Sequence, residues 1–504
     1  MVFMKSWLLI AAVVAMAATL AAGCVQQENI QRYLSGNGTA PKNTGMVEFF
    51  VTTPATTPPR EPIVLHNGPV NRVVLERIGD NTYYGVLDVS EREKGEETAY
   101  GYSRGGRIEW GEYGLTGYAS NEMPRRLTVG KNTTIYDQVE RWKWLPSQPL
   151  DENDIQSLAG KKNFESRQEF WKGAYMPDFW SGEGAWPLNY NQTIKNLREK
   201  GFDWIALKPP VSMKSKNPPQ YALGEAINCP SYPESALREH IRVFKEAGFK
   251  VMISVQFCQD SWGNDDSWWK QWYDEAERAV KYHADIAREE NADAFVIAFA
   301  GKLPKEEDAP SFASKEWSEI IDAAKTSGAL VSFSSGAWGA DWSDPDALPH
   351  PLFVTDFMDR LDFFDVSIHN TLFTNNSNPT QEEVDAAMKI LIGRLDRLHN
   401  MTGKPVIASS VAYQSKVGSG LPKGPEILYV FDDPDAVWEK YNTTYSSEQQ
   451  AMIYEALMRQ IAEKPYIQGI FTWGYSYVDT PLTPDETIRG KMAERILSKW
   501  FSSI

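Results

Sequence analysis

Residues Asp293-Ala-Phe-Val-Ile-Ala-Phe-Ala-Gly301 predict a fully buried strand, because seven apolar residues follow one another between an aspartate and a glycine. Amphipathic helical patterns flank this run, at 268–290 before it and at 314–326 after it. Strands that are apolar on both faces are typical of parallel sheets covered by helices. The run therefore predicts one β/α unit, and the number of similar units beside it decides the fold.

The same unit recurs across residues 171–504. Strands are predicted at 171–175, 203–208, 250–256, 293–299, 329–334, 363–369, 405–410 and 468–473. Helices with apolar residues at three- and four-residue spacing alternate with them, at 192–200, 234–247, 268–290, 314–326, 381–400 and 447–463. Eight such units in succession predict a TIM (β/α)8 barrel, whose chemistry lies in the loops at the carboxyl ends of the strands.

Residues 46–144 have a different pattern and predict an all-β module. Short strand-like runs alternate there with turns rich in Gly, Pro, Asp and Asn, at 47–52, 63–66, 82–89, 98–103 and 126–129. Such a succession is typical of an Ig-like sandwich. We therefore expect a multidomain chain with a signal peptide at 1–23, a tether at 24–45, a β-sandwich at 46–144, a connector at 145–170 and the barrel at 171–504.

The N-terminus has the pattern of a secretion signal. Lys5 precedes an apolar run at 7–22, and small residues lead into Gly23-Cys24. Leu20-Ala-Ala-Gly-Cys24 resembles a lipobox, in which the cysteine is lipidated and becomes the new N-terminus. An uncleaved membrane anchor is the alternative. Both place the rest of the chain outside the cell, and the lipobox predicts a lipid anchor on Cys24 at the outer face of the membrane.

Charge and composition narrow the class of partner. The chain of 504 residues has a formal net charge of −16, which argues against binding to the phosphate backbone of a nucleic acid. Aromatic residues make 12% of the sequence, a share that suits both sugar-binding clefts and large cores. The six histidines are scattered without metal-ligand spacing, so we expect no metal site and no cofactor.

Two cysteines remain besides Cys24. Cys229 lies in a loop after one predicted barrel strand, and Cys258 ends the next strand. Adjacent strand ends are close in a barrel, and cysteines outside the cell often pair. A Cys229–Cys258 disulfide is therefore expected, with two separate buried thiols as the alternative.

Six motifs follow one another in order along the barrel. They are Gly201-Phe-Asp-Trp-Ile-Ala-Leu207, Ala247-Gly-Phe-Lys-Val-Met-Ile253, Ala292-Asp-Ala-Phe-Val-Ile297, Leu361-Asp-Phe-Phe-Asp-Val-Ser367, Gly403-Lys-Pro-Val-Ile407 and Gln468-Gly-Ile-Phe-Thr-Trp473. On these motifs the barrel resembles the clan of retaining glycoside hydrolases that use two glutamates, and it is most similar to the mannanase-type family 113. The resemblance implies a sugar-binding cleft at the mouth of the barrel.

The resemblance also implies one catalytic glutamate at the end of strand four and another at the end of strand seven. Retaining hydrolysis needs two carboxylates about 5–5.5 Å apart, one to protonate the leaving oxygen and one to attack the anomeric carbon. The matching positions here are Ala300, in Val296-Ile-Ala-Phe-Ala-Gly301, and Ser410, in Ala408-Ser-Ser-Val-Ala-Tyr413. Neither stretch contains an acid, so the usual two-glutamate chemistry is predicted to be lost.

Acidic residues elsewhere near the mouth are the remaining candidates for catalysis. Asp178, Asp260 and Asp479 follow strands one, three and eight, so they could point into the cleft. Such aspartates more often cap loops or pair with cations. Further acids near the strand ends are Glu306, Glu307, Asp365 and Glu426.

Aromatic and polar residues at the strand ends predict a sugar site. Flat rings stack on sugar faces, while amides and a lysine bond to hydroxyl groups. The residues expected to bind substrate are Trp180, Lys208, Gln256, Trp262, His369, Asn370, Tyr413, Trp473 and Tyr475. Packing under a loop is the alternative role for each ring.

The β-module carries its own set of strand and turn motifs. They are Phe49-Phe-Val-Thr52 with Thr57-Pro-Pro59, Gly79-Asp-Asn-Thr-Tyr83, Tyr100-Gly-Tyr-Ser-Arg-Gly105, Arg125-Arg-Leu-Thr-Val129 and Tyr136-Asp-Gln-Val-Glu-Arg-Trp142. Their order is similar to that of starch-binding-type (family 20-like) carbohydrate-binding modules. That family usually has a sugar-stacking tryptophan in the region matching 67–71, where this chain has no aromatic residue. Trp110 and Tyr113 could substitute as a platform, and a spacer that binds nothing is the alternative.

These patterns together favour an extracellular, lipid-anchored relative of glycoside hydrolases that binds carbohydrate or polysaccharide without the usual hydrolysis. An active hydrolase that uses relocated acids is the first alternative. A structural protein of the cell envelope, with a barrel mouth filled by its own side chains, is the second. The distance between acidic side chains at the mouth distinguishes these possibilities, because a pair near the spacing of a glycosidase indicates catalysis and the lack of such a pair indicates binding.

Overall fold

The computed structural model describes residues 45–131, 133–146, 169–176, 186–224, 233–258, 263, 265–300, 310–335, 356–369, 371–422, 433–440 and 444–504. The predicted signal peptide, the tether and most of the connector lie outside these ranges. No helix within them is long and apolar enough to cross a membrane.

The N-terminal module is a single mixed sheet of seven strands, in the order β6-β5-β2-β3-β4-β1-β7. The strands are β1 Met46–Thr52, β2 Ile63–His66, β3 Arg72–Gly79, β4 Thr82–Asp88, β5 Glu97–Arg104, β6 Arg125–Thr128 and β7 Thr134–Gln138. Neighbours are antiparallel except β1 and β7, which are parallel. The pairing joins all seven strands in one continuous sheet. The two separate sheets of an Ig-like sandwich are not seen in this pairing, so the sandwich stays a prediction.

Strands β3 and β7 were not predicted from the sequence. In β3 only Leu75 is buried, so charged and apolar residues mix without a clear alternation. In β7 no residue is buried, because this strand lies at the edge of the sheet. Exposed strands carry little of the apolar periodicity on which such predictions depend.

Eight parallel strands form a closed barrel, which confirms the predicted TIM fold. They are β8 Trp171–Tyr175, β9 Trp204–Leu207, β12 Lys250–Cys258, β13 Ala294–Ala300, β14 Leu330–Ser335, β15 Phe364–Ser367, β16 Val406–Val411 and β17 Ile467–Thr472. Each strand pairs with the next, and β17 pairs with β8 to close the ring. A hairpin of β10 Pro210–Lys216 and β11 Pro219–Tyr221 adds to the sheet, where β10 pairs in parallel with the carboxyl end of β12.

Helices alternate with the barrel strands. Their bounds are α1 Trp186–Glu199, α2 Glu234–Glu246, α3 Asp266–Glu289, α4 Ala313–Lys325, α5 Gln381–Thr402, α6 Pro434–Lys440, α7 Ser447–Glu463 and α8 Met492–Phe501. Local signals set several of their ends. Helix α5 begins with a capping box between Thr380 and Glu383 and ends at Gly403, whose φ of +65° suits a residue without a Cβ atom.

The barrel strands are apolar on both faces because each face is buried. In β13, Val296 points into the barrel, where it joins a cluster that includes Trp171, Trp204 and Phe471. Phe295 and Ile297 of the same strand belong to the core between the sheet and the helices. This double burial explains the unbroken apolar run from which the fold was predicted.

A buried ion pair connects the β-module to the barrel. Arg104 of β5 and Glu61 are 2.6 Å apart, and neither side chain is more than 1% exposed. The backbone of Asp479 completes the contact, because its N–H donates to Glu61 at 2.6 Å and its carbonyl accepts from Arg104 at 3.0 Å. The buried charges of Arg104 and Glu61 in the module are therefore paired with each other and hydrogen-bonded to the backbone of the barrel, where water is excluded.

Candidate functional site

A cavity of about 340 Å³ lies at the carboxyl ends of the barrel strands. Its polar lining comes from residues at or after β9, β12, β15, β16 and β17. These residues are Lys208, Gln256, Ser367, His369, Thr371, Ser410, Tyr413, Gln414, Lys416, Ser419, Trp473 and Glu486. Five residues expected to bind substrate, Lys208, Gln256, His369, Tyr413 and Trp473, thus lie around one space, together with Ser410.

Lys208 and Trp473 meet at this cavity. Lys208 directly follows β9 and is only 7% exposed. Its Nζ lies 4.7 Å from the centre of the Trp473 ring and 5.5 Å from the centre of the Tyr175 ring, which is within the range of cation–π attraction. Burial lowers the pKa of Lys208 to about 8, while the charge of nearby Asp365 acts in the opposite direction. The cavity therefore has an ammonium group that is mostly charged at neutral pH, held between aromatic rings.

A buried polar layer supports Lys208 from inside the barrel. The Tyr175 hydroxyl lies 3.0 Å from Ser409 Oγ and 3.5 Å from Asp365 Oδ2. The backbone N–H of Asp365 donates to Ser332 Oγ at 3.0 Å. Burial raises the pKa of Asp365, and the hydrogen bonds and the Lys208 charge oppose that rise. Because this layer fixes the Tyr175 ring, it also fixes one of the two rings that hold the ammonium group.

Ser410 occupies a distorted strand end. Its φ is +43°, in the left-handed region that non-glycine residues rarely adopt. The register of β16 against β17 shifts between Ala408 and Val411, as in a β-bulge. The Ser410 hydroxyl is buried and makes no hydrogen bond of ordinary geometry within the described residues, although it lies near the Tyr175 hydroxyl. A strained bulge beside a cavity is a feature that proteins use to orient a side chain at a site.

Tyr413 lines the cavity and has a buried hydroxyl. The side chain is 2% exposed, and its hydroxyl has no hydrogen-bond partner in the part of the chain that the structure describes. Its backbone carbonyl is held by Gln450 Nε2 at 2.7 Å. A buried hydroxyl without a partner costs about 1–3 kcal/mol.

One acidic residue lines the described wall of the cavity, Glu486. No sequence pattern pointed to this residue. Asp479 does not line the cavity, because its side chain pairs with Arg489 at 2.9 Å and its backbone faces the β-module. Asp365 lies in the buried layer below. The other acids named above, Asp178, Asp260, Glu306, Glu307 and Glu426, lie outside the described residues.

The two positions at which the resemblance implies glutamates lie at the predicted strand ends. Ala300 is the last residue of β13 and pairs with Cys258 of β12. Ser410 is the penultimate residue of β16. Both positions therefore lie at the carboxyl ends of barrel strands, and this chain has no carboxylate at either.

Tyr475 does not lie at the cavity, contrary to the expectation. It is fully buried, its hydroxyl donates to the Glu494 carboxylate, and Asn196 Nδ2 donates to that hydroxyl at 2.5 Å. The reason is the turn at Gly474, whose φ of +67° redirects the chain after Trp473. Tyr475 therefore packs between the barrel and its helices. Trp180, Trp262 and Asn370, also expected at the mouth, lie outside the described residues.

The predicted disulfide is not tested by the described residues. Cys258 ends β12, and its Sγ lies 3.8 Å from the carbonyl oxygen of Gln256. Cys229 and the predicted lipidation site Cys24 lie outside the described ranges. Within those ranges no group of three or more His, Cys, Asp or Glu side chains could hold a metal ion.

Both rings expected as a platform on the β-module contact an arginine of the module itself. Trp110 is only 8% exposed, and the guanidinium of Arg107 lies 5.6 Å from its ring centre. The ring of Tyr113 is covered by Arg141, whose guanidinium carbon lies 3.5 Å from the ring centre. Both rings are therefore engaged in packing and cation–π contacts.

Several cavity residues were missed by the sequence analysis. They are Ser367, Thr371, Gln414, Lys416, Ser419 and Glu486. Most are single polar residues in the loops after strands six to eight, so they share no periodicity or spacing. Their nearness to predicted strand ends was the one available signal, and it applies to many loop residues that do not line the cavity.

Several solved structures are similar to this chain. A β-1,4-mannanase of glycoside hydrolase family 113 aligns with a TM-score of 0.48 and 16% identity, over 67% of this chain and 100% of its own. The family 113 β-mannanase from Alicyclobacillus acidocaldarius aligns with a TM-score of 0.45 and 15% identity, over 68% of this chain and 99% of its own.

A β-glucuronidase from Faecalibacterium prausnitzii aligns with a TM-score of 0.43 and 12% identity, over 91% of this chain and 66% of its own. No protein-family model matches the sequence, and no curated protein matches it either. The assignment of the fold rests on the closed ring of parallel strand pairs.

Proposed function

We propose that the barrel binds carbohydrate in the cavity at its mouth and does so without two-glutamate hydrolysis. The observation that carries the proposal is the convergence of one aromatic ring and one buried ammonium, Trp473 and Lys208, on one cavity, which Gln256, Ser410 and Tyr413 also line. A pyranose has apolar C–H faces and hydroxyls at its edges, so it can satisfy a ring and polar groups together. The cavity volume falls within the usual range of small-molecule sites, ~300–1,000 Å³.

The absence of hydrolysis is supported by the two strand ends. A methyl group at Ala300 cannot donate a proton to a leaving oxygen, and a serine hydroxyl at Ser410 is a poor substitute for the carboxylate that forms the glycosyl ester. Glu486 supplies one carboxylate at the described wall, whereas the usual mechanism needs a facing pair. We therefore infer that sugar recognition has been retained and the acid pair has been lost.

The test combines binding with turnover. The full chain is titrated calorimetrically with soluble β-1,4-linked manno-oligosaccharides, xylo-oligosaccharides and gluco-oligosaccharides, and the same mixtures are assayed for reducing ends after long incubation. We expect saturable binding to at least one series, no new reducing ends, and loss of binding in Trp473→Ala. Ile390→Ala is the control, because Ile390 is 65% exposed on helix α5, away from the cavity. Release of reducing sugar that survives repurification would contradict the proposal.

Glu486 favours a second candidate function, that of a hydrolase with relocated acids. It is a carboxylate at the cavity wall, which is the position that catalysis requires. In that case Glu486→Gln abolishes turnover while leaving ligand affinity nearly unchanged. In a binding protein without turnover, the same substitution changes affinity alone.

We further propose that the protein is a lipoprotein held on the outer face of the cell membrane. The support is the order of charge, apolar run, small residues and Cys24 at the N-terminus. Cys24→Ala should prevent incorporation of a labelled fatty acid in cells and change the apparent mass of the processed chain. Incorporation of label into Cys24→Ala would contradict the anchor.

A further inference from the structure

Three lysine side chains are buried in the described part of the chain, and two of them have polar partners. Lys491 is 0% exposed, and its Nζ lies 2.7 Å from both Ser415 Oγ and Asp485 Oδ1. Lys143 is also 0% exposed, and its Nζ donates to the carbonyl of Leu115 at 2.5 Å. Both follow the general pattern that lysine is almost never fully buried unless it is paired.

Lys208, the third buried lysine, has no polar partner of this kind. Its Nζ contacts the rings of Trp473 and Tyr175, and it makes no hydrogen bond and no ion pair with any described residue. The side chain lines the cavity at the barrel mouth. An aromatic face attracts a cation but leaves the N–H groups on its open side unused. The amine is therefore available to a molecule in the cavity.

A buried lysine without a carboxylate beside it gives up its proton readily. Burial lowers the pKa of Lys208 to about 8. Roughly a tenth of the side chains are then neutral at pH 7, against about 0.03% for a lysine in water, and the neutral amine is the nucleophilic form. The ionisable groups that act on Lys208 or share its cavity are Tyr175, Cys258, Asp365, His369, Tyr413, Lys416 and Glu486.

We propose that Lys208 is a nucleophilic amine that holds an aldehyde or ketone bearing hydroxyl groups as a protonated imine. The neutral Nζ attacks the carbonyl carbon, a C–N bond forms, and the electron pair of the C=O π bond moves to the oxygen, which takes up a proton. The resulting carbinolamine expels its oxygen as water while the nitrogen lone pair forms the C=N bond. An ammonium and a carbonyl thus give an iminium and water, and nothing is oxidised or reduced.

The surroundings of Lys208 suit both the reaction and its product. The iminium keeps the positive charge of the ammonium, so attraction to the ring of Trp473 persists after the bond has formed. His369 and Glu486 line the same cavity and are of the residue types that transfer protons to a departing oxygen. Gln256 lines it as well and offers an amide to the hydroxyls of the bound molecule.

A lysine is not needed here as a simple hydrogen-bond donor to a sugar. The amide of Gln256, at the neighbouring strand, can donate without the cost of burying a charge. The property that Lys208 has and an amide lacks is nucleophilicity in its neutral form. The inference goes beyond the proposed function, because carbohydrate binding requires no covalent step.

Reductive trapping tests the proposal in the full chain. The protein is incubated at pH 7 with glyceraldehyde or with mannose, sodium cyanoborohydride reduces any iminium to a stable secondary amine, and peptide mass spectrometry gives the labelling rate of each lysine. We expect Lys208 to be labelled at least about tenfold faster than Lys315, because more of it is neutral at this pH. Lys315 is a suitable reference, since its side chain is 72% exposed on helix α4. Lys491, buried but paired, should be labelled slowly.

Two variants identify the reacting amine. Lys208→Arg keeps a positive charge and removes the nucleophile, so the fast labelling should disappear. Lys315→Met is the matched control and should retain it. Labelling of Lys208 that is no faster than that of Lys315 in the natural chain overturns the proposal, and this comparison does not depend on the folding of any variant. Fast labelling that persists in Lys208→Arg also overturns it.

The two aldehydes separate the sources of the carbonyl group. Fast labelling by both supports the imine with the open-chain form of a reducing sugar, and fast labelling by glyceraldehyde alone supports it with a smaller hydroxyaldehyde. Oligosaccharides whose reducing ends have been converted to alditols have no carbonyl, so their calorimetric binding tests carbohydrate recognition by itself. If they bind while Lys208 is not trapped, the imine fails and the proposed function stands. If Lys208 is trapped and no oligosaccharide binds, the reverse holds.

Discussion

The ammonium group of Lys208 lies over the indole ring of Trp473, with Nζ 4.7 Å from the ring centre, at the end of barrel strands that are not neighbours in sequence. The pair joins the two chemical features that a sugar site needs, a flat apolar surface and a charged hydrogen-bond donor. Because Lys208 is 7% exposed, the protein bears the cost of burying a charge at this point. A buried lysine at a cavity is a candidate functional residue for that reason.

Lys208→Met is therefore expected to stabilise the protein at neutral pH. The pKa of Lys208 is about 8 in the folded chain and near 10.5 when unfolded, so the unfolded state binds the proton more tightly. The cost to folding is fully present below pH 8 and disappears as the pH rises towards 10.5. We expect a gain of about 1–3 kcal/mol in unfolding free energy at pH 7. Urea denaturation at pH 7 and pH 10.5 measures it. If Lys208→Met and the natural chain have equal urea midpoints at pH 7, burial of the Lys208 ammonium costs little stability.

Asp365→Asn is expected to lower the pKa of Lys208, because Asp365 is the charge that raises it. If the Lys208 ammonium donates to a sugar oxygen, affinity falls as the pH rises through about 8 in the natural chain. The midpoint of this fall should move to lower pH in Asp365→Asn. Calorimetry between pH 6 and pH 9.5 gives both profiles. A flat profile in the natural chain means that Lys208 makes no such hydrogen bond.

Ser410→Gly should stabilise the fold by about 1 kcal/mol or slightly less. Glycine removes the strain of the positive φ at this position, and part of the gain is offset by the extra freedom of glycine in the unfolded chain. Ser409→Gly is the matched control and should destabilise, because Ser409 Oγ lies 3.0 Å from the Tyr175 hydroxyl. Thermal unfolding monitored by circular dichroism distinguishes the two. Destabilisation by Ser410→Gly would indicate that its hydroxyl has a structural partner after all.

Arg104→Met should be strongly destabilising, by about 3–5 kcal/mol, since it leaves the Glu61 carboxylate buried without its cation. The double variant Glu61→Leu with Arg104→Met should recover part of this loss. Arg60→Met is the control. Arg60 and Glu199 also connect the module to the barrel, but their side chains are 45% and 49% exposed, so less than about 1 kcal/mol should be lost. Equal losses for the two arginine variants in urea denaturation would count against a role of burial.

Three buried histidines predict acid sensitivity. Burial lowers the pKa of His66 and of His240 to about 3, and that of His283 to about 4. The unfolded chain binds these protons near pH 6.5, so stability is present above that pH and is lost as the pH falls towards 4. Each histidine contributes up to about 1.4 kcal/mol per pH unit. Urea midpoints at pH 7.5, 6 and 5 measure the slope.

His66→Gln is the variant that checks this assignment. The amide can still bond to Ser103 Oγ, which lies 2.6 Å from His66 Nε2, and it does not titrate. The slope of stability between pH 6.5 and pH 5 should fall by about a third. An unchanged slope would assign the acid sensitivity to other groups.

The barrel could be predicted from local patterns because every strand has both faces buried and every helix has one. Phe295 and Val296 are neighbours in sequence, and both are buried, on opposite sides of the sheet. Burial of both faces requires apolar side chains at consecutive positions, so the hydrophobic pattern of the sequence reveals such a strand. The exposed strands β3 and β7 do not need apolar residues on both faces, so the sequence contains no hydrophobic pattern by which to predict them.

The candidate site was predictable where function coincides with the end of a strand. Lys208, Gln256, His369, Tyr413 and Trp473 directly end or follow barrel strands, so the fold alone places them near one another. Glu486 lies well after β17 in a segment without regular structure, and no sequence pattern connects it with the cavity. Tyr475 shows the opposite error, because one glycine turn moves it from the mouth into the helical layer.

Chain order and residue pattern were thus sufficient for the type of fold, for the positions of the two strand ends without carboxylates, and for five of the residues that line the cavity. Tertiary structure decided which residues share a cavity and which acidic residue lines it. Burial periodicity is a property of neighbouring residues, whereas side-chain convergence depends on turns and on the pairing of distant strands.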